Sequence, residues 1–139
     1  MKKTFFLITL LNLLHYTSFS QDQHLVDSLE KQLSDHNAQK LELGSKAPAM
    51  YDTIAANILN QISRAYWGNN PRKAIDNAKE ALALAEQIGY KKGIANAYNS
   101  LGAINQMKGE YLTALELHRK ALKIREEIGD KQGIASSYN

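Results

Sequence analysis

Apolar residues recur at three- and four-residue intervals along most of the chain, which is the spacing of one face of an α-helix. Residues 23–36 show this pattern first, in four apolar residues: Leu25, Val26, Leu29 and Leu33. Residues 37–48 lose the periodicity and contain one glycine and one proline. We therefore interpret residues 21–48 as an amphipathic helix followed by a linker.

From residue 49 onward the pattern predicts helix after helix, joined by short turns. The predicted helices are 49–67, 71–88, 91–107, 111–128 and a fifth that begins near Asp130. Asn70 before Pro71 predicts a helix start, because asparagine caps free N–H groups and proline fits the first helical position. Gly89 and Gly129 each follow the last apolar residue of a helix, where glycine commonly ends it. The pattern predicts an all-α fold.

The strongest signal is an internal repeat with a period of forty residues. The segment 89–99 (GYKKGIANAYN) recurs at 129–139 (GDKQGIASSYN), with seven of eleven positions identical. The preceding helices match as well, with Ala74, Ala81, Leu82, Glu86 and Ile88 aligned to Ala114, Ala121, Leu122, Glu126 and Ile128. Residues 55–70 form an earlier, weaker copy, which aligns with the later repeat only when the alignment is shifted by one residue. Two-helix units cannot bury their apolar faces alone, so this period predicts an α-solenoid of antiparallel helix pairs.

Small residues recur at fixed places in this repeat. They are Ala74, Ala81, Gly102, Ala114 and Ala121. Larger side chains at these places would force neighbouring helices apart. We therefore expect these residues where two helix backbones approach closely.

Residues 97–124 combine an aromatic residue, a leucine–glycine pair, a turn glycine with a tyrosine, and small residues on the second helix. These are Tyr98, Leu101, Gly102, Gly109, Tyr111, Ala114, Ala121 and Leu122. The segment resembles the tetratricopeptide repeat, in its subclass with a forty-residue period, and Tyr98 stands at the consensus tryptophan position. The first repeat departs from the consensus, with Ser63 for glycine and Pro71 for tyrosine. The resemblance covers residues 49–139 and implies a solenoid that binds peptides or proteins.

The first twenty residues have the pattern of a secretory signal peptide. Lys2 and Lys3 precede a ten-residue apolar stretch, residues 5–14, and Ser18-Phe19-Ser20 forms a small-x-small cleavage site. Ten residues are too few to span a bilayer, which takes about 20. An N-terminal core helix is the alternative, but polar residues follow from Gln21 onward. We therefore expect export, most simply to the periplasm, with secretion or surface association left open and no membrane span in the mature chain.

Charge and composition exclude several function classes. The net charge is +3, but residues 21–139 carry 15 Lys plus Arg against 14 Asp plus Glu, interspersed along the chain. Nucleic-acid binding needs a clustered positive face, so we expect no nucleic-acid partner. The absence of cysteine excludes a disulfide framework, a thiol nucleophile and a lipid-anchored cysteine.

If the repeats stack, the first helix of each pair lines the concave surface. Residues three and four apart share a helix face, and in the second repeat a polar face contains Asn96, Asn99, Ala103 and Gln106. The matching residues of the neighbouring repeats are Asn57, Asn60, Arg64, Trp67, Ser136 and Asn139. These residues, without Ala103, form our candidate peptide-binding groove.

Asn60, Asn99 and Asn139 place one asparagine in each repeat of this groove. An amide side chain donates and accepts hydrogen bonds, so it suits the backbone of an extended peptide. Arg64 could bind a carboxylate, and Trp67 could anchor an apolar group. The alternative is that these asparagines are only solvated residues on the helix surface.

The remaining reactive residues give no support for catalysis. His118 falls at a helix-packing position where a bulky aromatic is usual, and it has no partner at metal-ligand spacing. Glu126-Glu127 ends a helix and has the pattern of a solvated helix end. No glycine-rich phosphate loop or serine elbow occurs. We expect no metal, no cofactor and no enzyme.

The chain ends inside the first helix of a third repeat, which would leave Ile134 and Tyr138 half covered. We therefore expect either a longer array or a partner on this edge. Two function hypotheses remain: a peptide- or protein-binding module that forms the input arm of a bacterial signalling protein, or a structural module that self-associates through the edge.

Overall fold

The computed structural model is all-helical, and it describes the backbone of residues 2–137 and the side chains of residues 23–135. The predicted signal segment, residues 1–20, lies outside the described side chains. Six α-helices follow one another in the described backbone: α1 (Lys2–Leu43), α2 (Met50–Ala65), α3 (Pro71–Gln87), α4 (Lys91–Met107), α5 (Tyr111–Glu127) and α6 (Lys131–Ser137). A short 3-10 turn at Gly44–Lys46 separates the first two.

The helices from α2 onward begin and end within two residues of the predicted positions. The side chain of Asn70 accepts a hydrogen bond of 3.1 Å from the backbone N–H of Lys73, which confirms the predicted N-cap before Pro71. Gly89 and Gly129 have φ angles of 68° and 67°, the left-handed conformation expected of glycine at the end of a helix.

The leading helix is longer than the periodicity predicted, because α1 continues through residues 37–43 before it ends at Gly44. This extension contains good helix formers but buries little: Leu41 is 83% exposed. Lys40 forms an ion pair with Asp52 of α2. The extension therefore does not need an apolar stripe. The connection between α1 and α2 is confined to residues 44–49.

Helix α1 packs against α2 through the apolar stripe found in the sequence. Val26 and Leu29 are buried in one cluster with Ile58 and Ile62 of α2. At the edge of this cluster, the Tyr66 hydroxyl donates a 2.7 Å hydrogen bond to Glu30 Oε1. Burial, followed by this bond, raises the pKa of Tyr66. The second half of α1 is thus part of the helical stack.

Helix α3 approaches its neighbours through a stripe of four alanines. Ala74, Ala78, Ala81 and Ala85 have no exposed surface. Buried Ser63 of α2 donates a 2.8 Å hydrogen bond from its hydroxyl to the carbonyl oxygen of Ala74. Side chains that end at Cβ let the backbones come this close, as the small-residue pattern predicted.

Helix α5 repeats this stripe forty residues later, with two substitutions. Ala114 and Ala121 are buried, as expected, but His118 and Arg125 replace the alanines at the second and fourth positions. The His118 ring fits because Gly102 of α4 has no side chain: a Cβ there would lie 2.7 Å from His118 Cε1. Gly102 therefore lies at a helix contact, as predicted, but a side chain of α5 and not its backbone fills the space over the glycine.

Each helix packs against the next one in the chain, and α2 also contacts α4. Two helix pairs, α2 with α3 and α4 with α5, thus lie side by side, and α1 packs on the first pair. Within the described part of the chain, no helix combines the length and apolarity needed to cross a membrane.

Substitution of Gly102 by alanine tests the packing of α4 on α5. We expect Gly102→Ala to lower the free energy of unfolding by about 1–3 kcal/mol, because the added methyl group meets the imidazole ring. In a His118→Ala background the same change should raise it by up to about 1 kcal/mol, since alanine is the better helix former. Denaturant unfolding of the four proteins completes a double-mutant cycle.

Gly68→Ala is the matched control, because nothing lies within 4 Å of a Cβ at that glycine. Equal effects of Gly102→Ala in the two backgrounds would show that the histidine ring does not fill the space over Gly102.

Candidate functional site

An open groove of about 780 Å³ lies between α2, α4, α5 and the start of α6. We call it the main groove. It is lined by Arg64, Trp67, Lys92, Asn96, Asn99, Ala103, Gln106, Leu115, His118, Arg125, Asp130, Gln132 and Gly133. Its walls come from helices far apart in the sequence, so only the packing of the helix pairs assembles it.

A smaller polar cavity of about 320 Å³ adjoins the main groove. We call it the side pocket. It is lined by Asn57, Asn60, Gln61, Arg64, Asn96, Asn99, Ser100 and Arg125. Four of these residues line the main groove as well, so the two cavities share a wall.

The structure brings together seven of the nine residues that the sequence assigned to a groove. Asn57, Asn60, Arg64, Trp67, Asn96, Asn99 and Gln106 all line the main groove or the side pocket. The other two, Ser136 and Asn139, lie outside the residues whose side chains are described.

Helix periodicity explains why these residues converge. On α4, positions 96, 99, 103 and 106 recur at three- and four-residue intervals and share a face. The opposite side of α4 packs inside the molecule, where Leu101 and Ile104 are buried. Helix α2 is built in the same way, with Leu59 and Ile62 buried behind its polar face. Core packing thus fixes which polar side chains face the groove.

The asparagines of the predicted ladder are not equivalent. Asn60 is only 5% exposed, and its amide donates to the carbonyl oxygens of Ala56 at 3.1 Å and Gly93 at 3.4 Å. Its Oδ1 is buried and accepts no hydrogen bond from the described residues. Asn60 therefore ties α2 to α4 instead of offering its amide group to a ligand.

Asn99 holds the matching position on α4 but differs in its contacts. It is half-buried and lines both cavities. Among the residues that the structure describes, its side chain has no hydrogen-bond partner. Both the donor and the acceptor of its amide group are thus available in the wall of the groove.

Arg125 is the central residue that sequence reasoning missed. It is 4% exposed and forms part of the shared wall of the two cavities. Its guanidinium donates to the Gly133 carbonyl oxygen at 3.0 Å and to Asn96 Oδ1 at 3.3 Å. Burial lowers the pKa of Arg125, and the nearby Asp130 carboxylate partly offsets this.

Arg125 also explains why Asn99 differs from Asn60. In the first repeat, the carbonyl oxygen of Gly93 accepts a bond from Asn60. In the second repeat, the matching carbonyl oxygen, that of Gly133, accepts a bond from Arg125. The self-comparison aligns Arg125 with an alanine, and this substitution was the one signal in the sequence that could have revealed it.

His118 lines the main groove on the same helix as Arg125. Burial is the main reason that the pKa of His118 is lowered, and the positive charge of Arg125 lowers it further. The imidazole is therefore neutral near pH 7 and offers one donor and one acceptor. The sequence had assigned it to packing alone, and it does pack against Gly102.

The main groove is more positive than the chain as a whole. Three cationic residues, Arg64, Lys92 and Arg125, line it with one carboxylate, Asp130. The Arg64 guanidinium carbon lies 5.7 Å from the centroid of the Trp67 ring, which places a cation over an aromatic face at one end.

Trp67 is less available than the sequence suggested. Its ring packs against the apolar cluster of α1 and α2, and its Nε1 is buried with no hydrogen-bond partner in the described structure. Only part of the indole can serve as an anchor in the groove. Among the described side chains, no group of three carboxylate, imidazole or thiol groups could hold a metal ion.

Comparisons of the chain with protein-family models, with curated proteins and with solved structures gave no match.

The pKa of His118 tests the electrostatics of the groove. We expect it to lie below about 6.5, the ordinary value for histidine, and to rise in Arg125→Ala without reaching that value, because burial remains. The measurement is an NMR titration of the imidazole C–H signal. His24 and His36 on α1, away from Arg125, report any general effect of the substitution.

The same shift makes stability depend on pH. The folded chain disfavours the protonated imidazole, so the free energy of unfolding should fall as the pH is lowered from about 6.5 through the lower pKa of the folded state. His118→Ala should reduce this dependence. A wild-type His118 pKa above 6.5 would contradict the assignment.

Proposed function

We propose that this chain is an exported helical-repeat module of the tetratricopeptide type that binds a peptide or a protein segment in its main groove. The observation that carries this proposal is the half-exposed amide of Asn99, which has no protein partner in the described structure. It stands in a groove that can accommodate an extended chain. A polar group in such a position can exchange its water for a ligand at little cost.

The chemistry of the groove suits a peptide backbone. Asn99 and Gln106 carry amide groups two helical turns apart on one face of α4. Each can donate to a carbonyl oxygen and accept from an N–H group. Ala103, between them, leaves room for the backbone to approach. Arg64 and the exposed part of Trp67 add contacts for side chains at one end of the groove.

The solenoid arrangement belongs to the same proposal. Three features support it: the forty-residue period, the packing of each helix on its neighbour in the chain, and the left-handed glycines at matching turns. In such an array the first helices of the pairs, α2 and α4, share the concave side. The polar faces of these helices line the two cavities described above.

Export follows from the pattern of residues 1–20, and we propose the periplasm as the compartment. Cleavage after residue 20 would leave the part of α1 that packs on α2, because Val26 and Leu29 lie beyond the cut. A ligand-binding array on the outer side of a membrane suits the input arm of a bacterial signalling protein. This last step is an analogy with the family that the chain resembles.

A structural assembly module is the second candidate, and an exposed apolar surface on α5 favours it. Tyr111, Leu112 and Leu115 are 70%, 81% and 50% exposed. Apolar patches of this kind commonly mark contacts with another protein. In this reading the apolar surface of α5, which includes Leu115 of the main groove, drives self-association, and the groove binds no ligand.

The substitution Asn99→Ala distinguishes the two candidates. We expect it to reduce capture of partners from the exported protein fraction of the source cells about tenfold, equal to about 1.4 kcal/mol. Quantitative mass spectrometry compares the retained proteins. Circular dichroism should show an unchanged fold, because the amide makes no hydrogen bond within the described structure.

Asn105→Ala on the same helix is the matched control, because its amide bonds the Leu101 carbonyl oxygen outside the groove. Identical partner sets for wild type and Asn99→Ala would leave the groove without a role. A dimer disrupted by Leu112→Ser, together with such identical sets, would favour the assembly module.

Removal of residues 1–20 is a further expected outcome. When the full chain is expressed in a bacterial host, N-terminal sequencing of the exported protein should begin at Gln21. Leu10→Arg should block export, because a charge interrupts the apolar stretch. Leu41→Arg, an exposed position on α1, is the control. An uncleaved chain in the cytoplasm for both wild type and Leu41→Arg would refute export.

A further inference from the structure

The two helix pairs differ at one place in a way that packing alone does not require. The alanine stripe of α3 is complete and buried, whereas α5 carries His118 and Arg125 at the second and fourth positions of the same stripe. Both substituted residues line the main groove. The first repeat shows that alanine satisfies these positions. The larger, nitrogen-bearing side chains therefore add polar groups to the groove wall that helix contact alone does not require.

Hydrogen bonds to neighbouring helices hold the arginine in place. Its bonds to Gly133 and Asn96 fix the guanidinium against the start of α6 and the middle of α4. A guanidinium presents five N–H donors in a planar fork that matches a carboxylate. A buried, positioned cation attracts an anion more strongly than a solvated surface cation does, because water screens it less.

Two more cationic residues, Arg64 and Lys92, line the same groove. Arg64 and Lys92 are exposed, and neither forms an ion pair with a carboxylate of the described residues. By contrast, Lys91, the neighbour of Lys92, points to α5 and pairs with Glu127 at 3.1 Å. Asp130 is the one carboxylate among the described residues that line the groove. The local excess is therefore positive, while residues 21–139 are nearly neutral.

From this arrangement we infer that the main groove selects a partner segment with carboxylate side chains, which bind against Arg125 with support from Lys92 and Arg64. The inference rests on the proposed function and names the class of its ligand. The second helix of a pair, α5, then determines specificity, while the amides of α4 hold the backbone of the segment.

Three cations along a single groove fit a short acidic peptide better than a nucleic acid, which needs a broad basic face. The amides of Asn99 and Gln106 point to the same conclusion, because they match the groups of a peptide backbone. Binding should weaken as salt is raised, since both partners are charged and the groove is open to solvent.

A random nonapeptide library with acetylated N-termini and amidated C-termini tests this inference, because only side chains then carry carboxylates. We expect peptides retained by the immobilised chain to be enriched in Asp and Glu. Arg125→Ala should weaken binding of a selected acidic peptide by tenfold or more. Alanine at the matching position of α3 indicates that this substitution is compatible with the fold.

Arg119→Ala on the same helix removes an equal charge outside both cavities and should leave the affinity within about twofold at moderate salt. The titration of His118 reports whether the carboxylate binds next to Arg125. An anion bound at Arg125 offsets the charge that lowers the pKa of His118, so that pKa should rise when the acidic peptide is added. Equal losses in Arg119→Ala and Arg125→Ala would overturn the assignment.

Other outcomes separate the two proposals. Retained peptides without acidic enrichment, lost in Asn99→Ala, would leave peptide binding intact and overturn the selection of carboxylates. No retention above the Asn99→Ala protein would overturn both. Retention only from a parallel library with free C-termini would assign the cations to a terminal carboxylate, and stronger binding of an oligothymidylate would replace the peptide by a nucleic acid.

Discussion

The close approach of neighbouring helices is the constraint on which the rest of this structure depends. Along α3, four buried alanines let the backbones of α2, α3 and α4 come together. When helix backbones pack this closely, one helix has little freedom to rotate about its axis against the next. The helix faces that do not pack in the core are therefore fixed as well. As a result, the polar residues of α2 and α4 lie along one side of the molecule. The groove is a consequence of the alanine stripe.

The second helix pair keeps this approach while changing its chemistry. His118 fits in the stripe because Gly102 leaves space for its ring, whereas Ala78 and Ser63 occupy the matching positions of the first repeat. A large residue on one helix thus lies against the smallest residue on the other, which avoids overpacking. At the end of the stripe, Arg125 donates a hydrogen bond to the Gly133 carbonyl oxygen, and the side chain of Asn99 has no partner among the described residues. A packing position has become part of the groove wall.

How much of this could be predicted from the sequence depends on the range of the interaction. The helices, the Asn70 cap and the glycine turns follow from local rules, and the structure confirms them. The polar faces of α2 and α4 were also predictable, because three- and four-residue spacing needs no knowledge of neighbours. The end of α1 was not, since residues 37–43 stay helical by propensity without an apolar stripe.

The missed residues share a different cause. His118 and Arg125 lie at positions that the repeat assigns to helix contact, and a periodic pattern cannot show that such a position opens into a cavity. Likewise, the three asparagines looked equivalent in the sequence, but the hydrogen-bond partner of a carbonyl oxygen on another helix decides which amide group is occupied. Asn60 and Asn99 are the same residue type on matching faces, yet one ties two helices and the other is available. In a repeat protein, departures from the repeat therefore carry more information about binding than the repeated residues do, because repetition reports the packing that all units share.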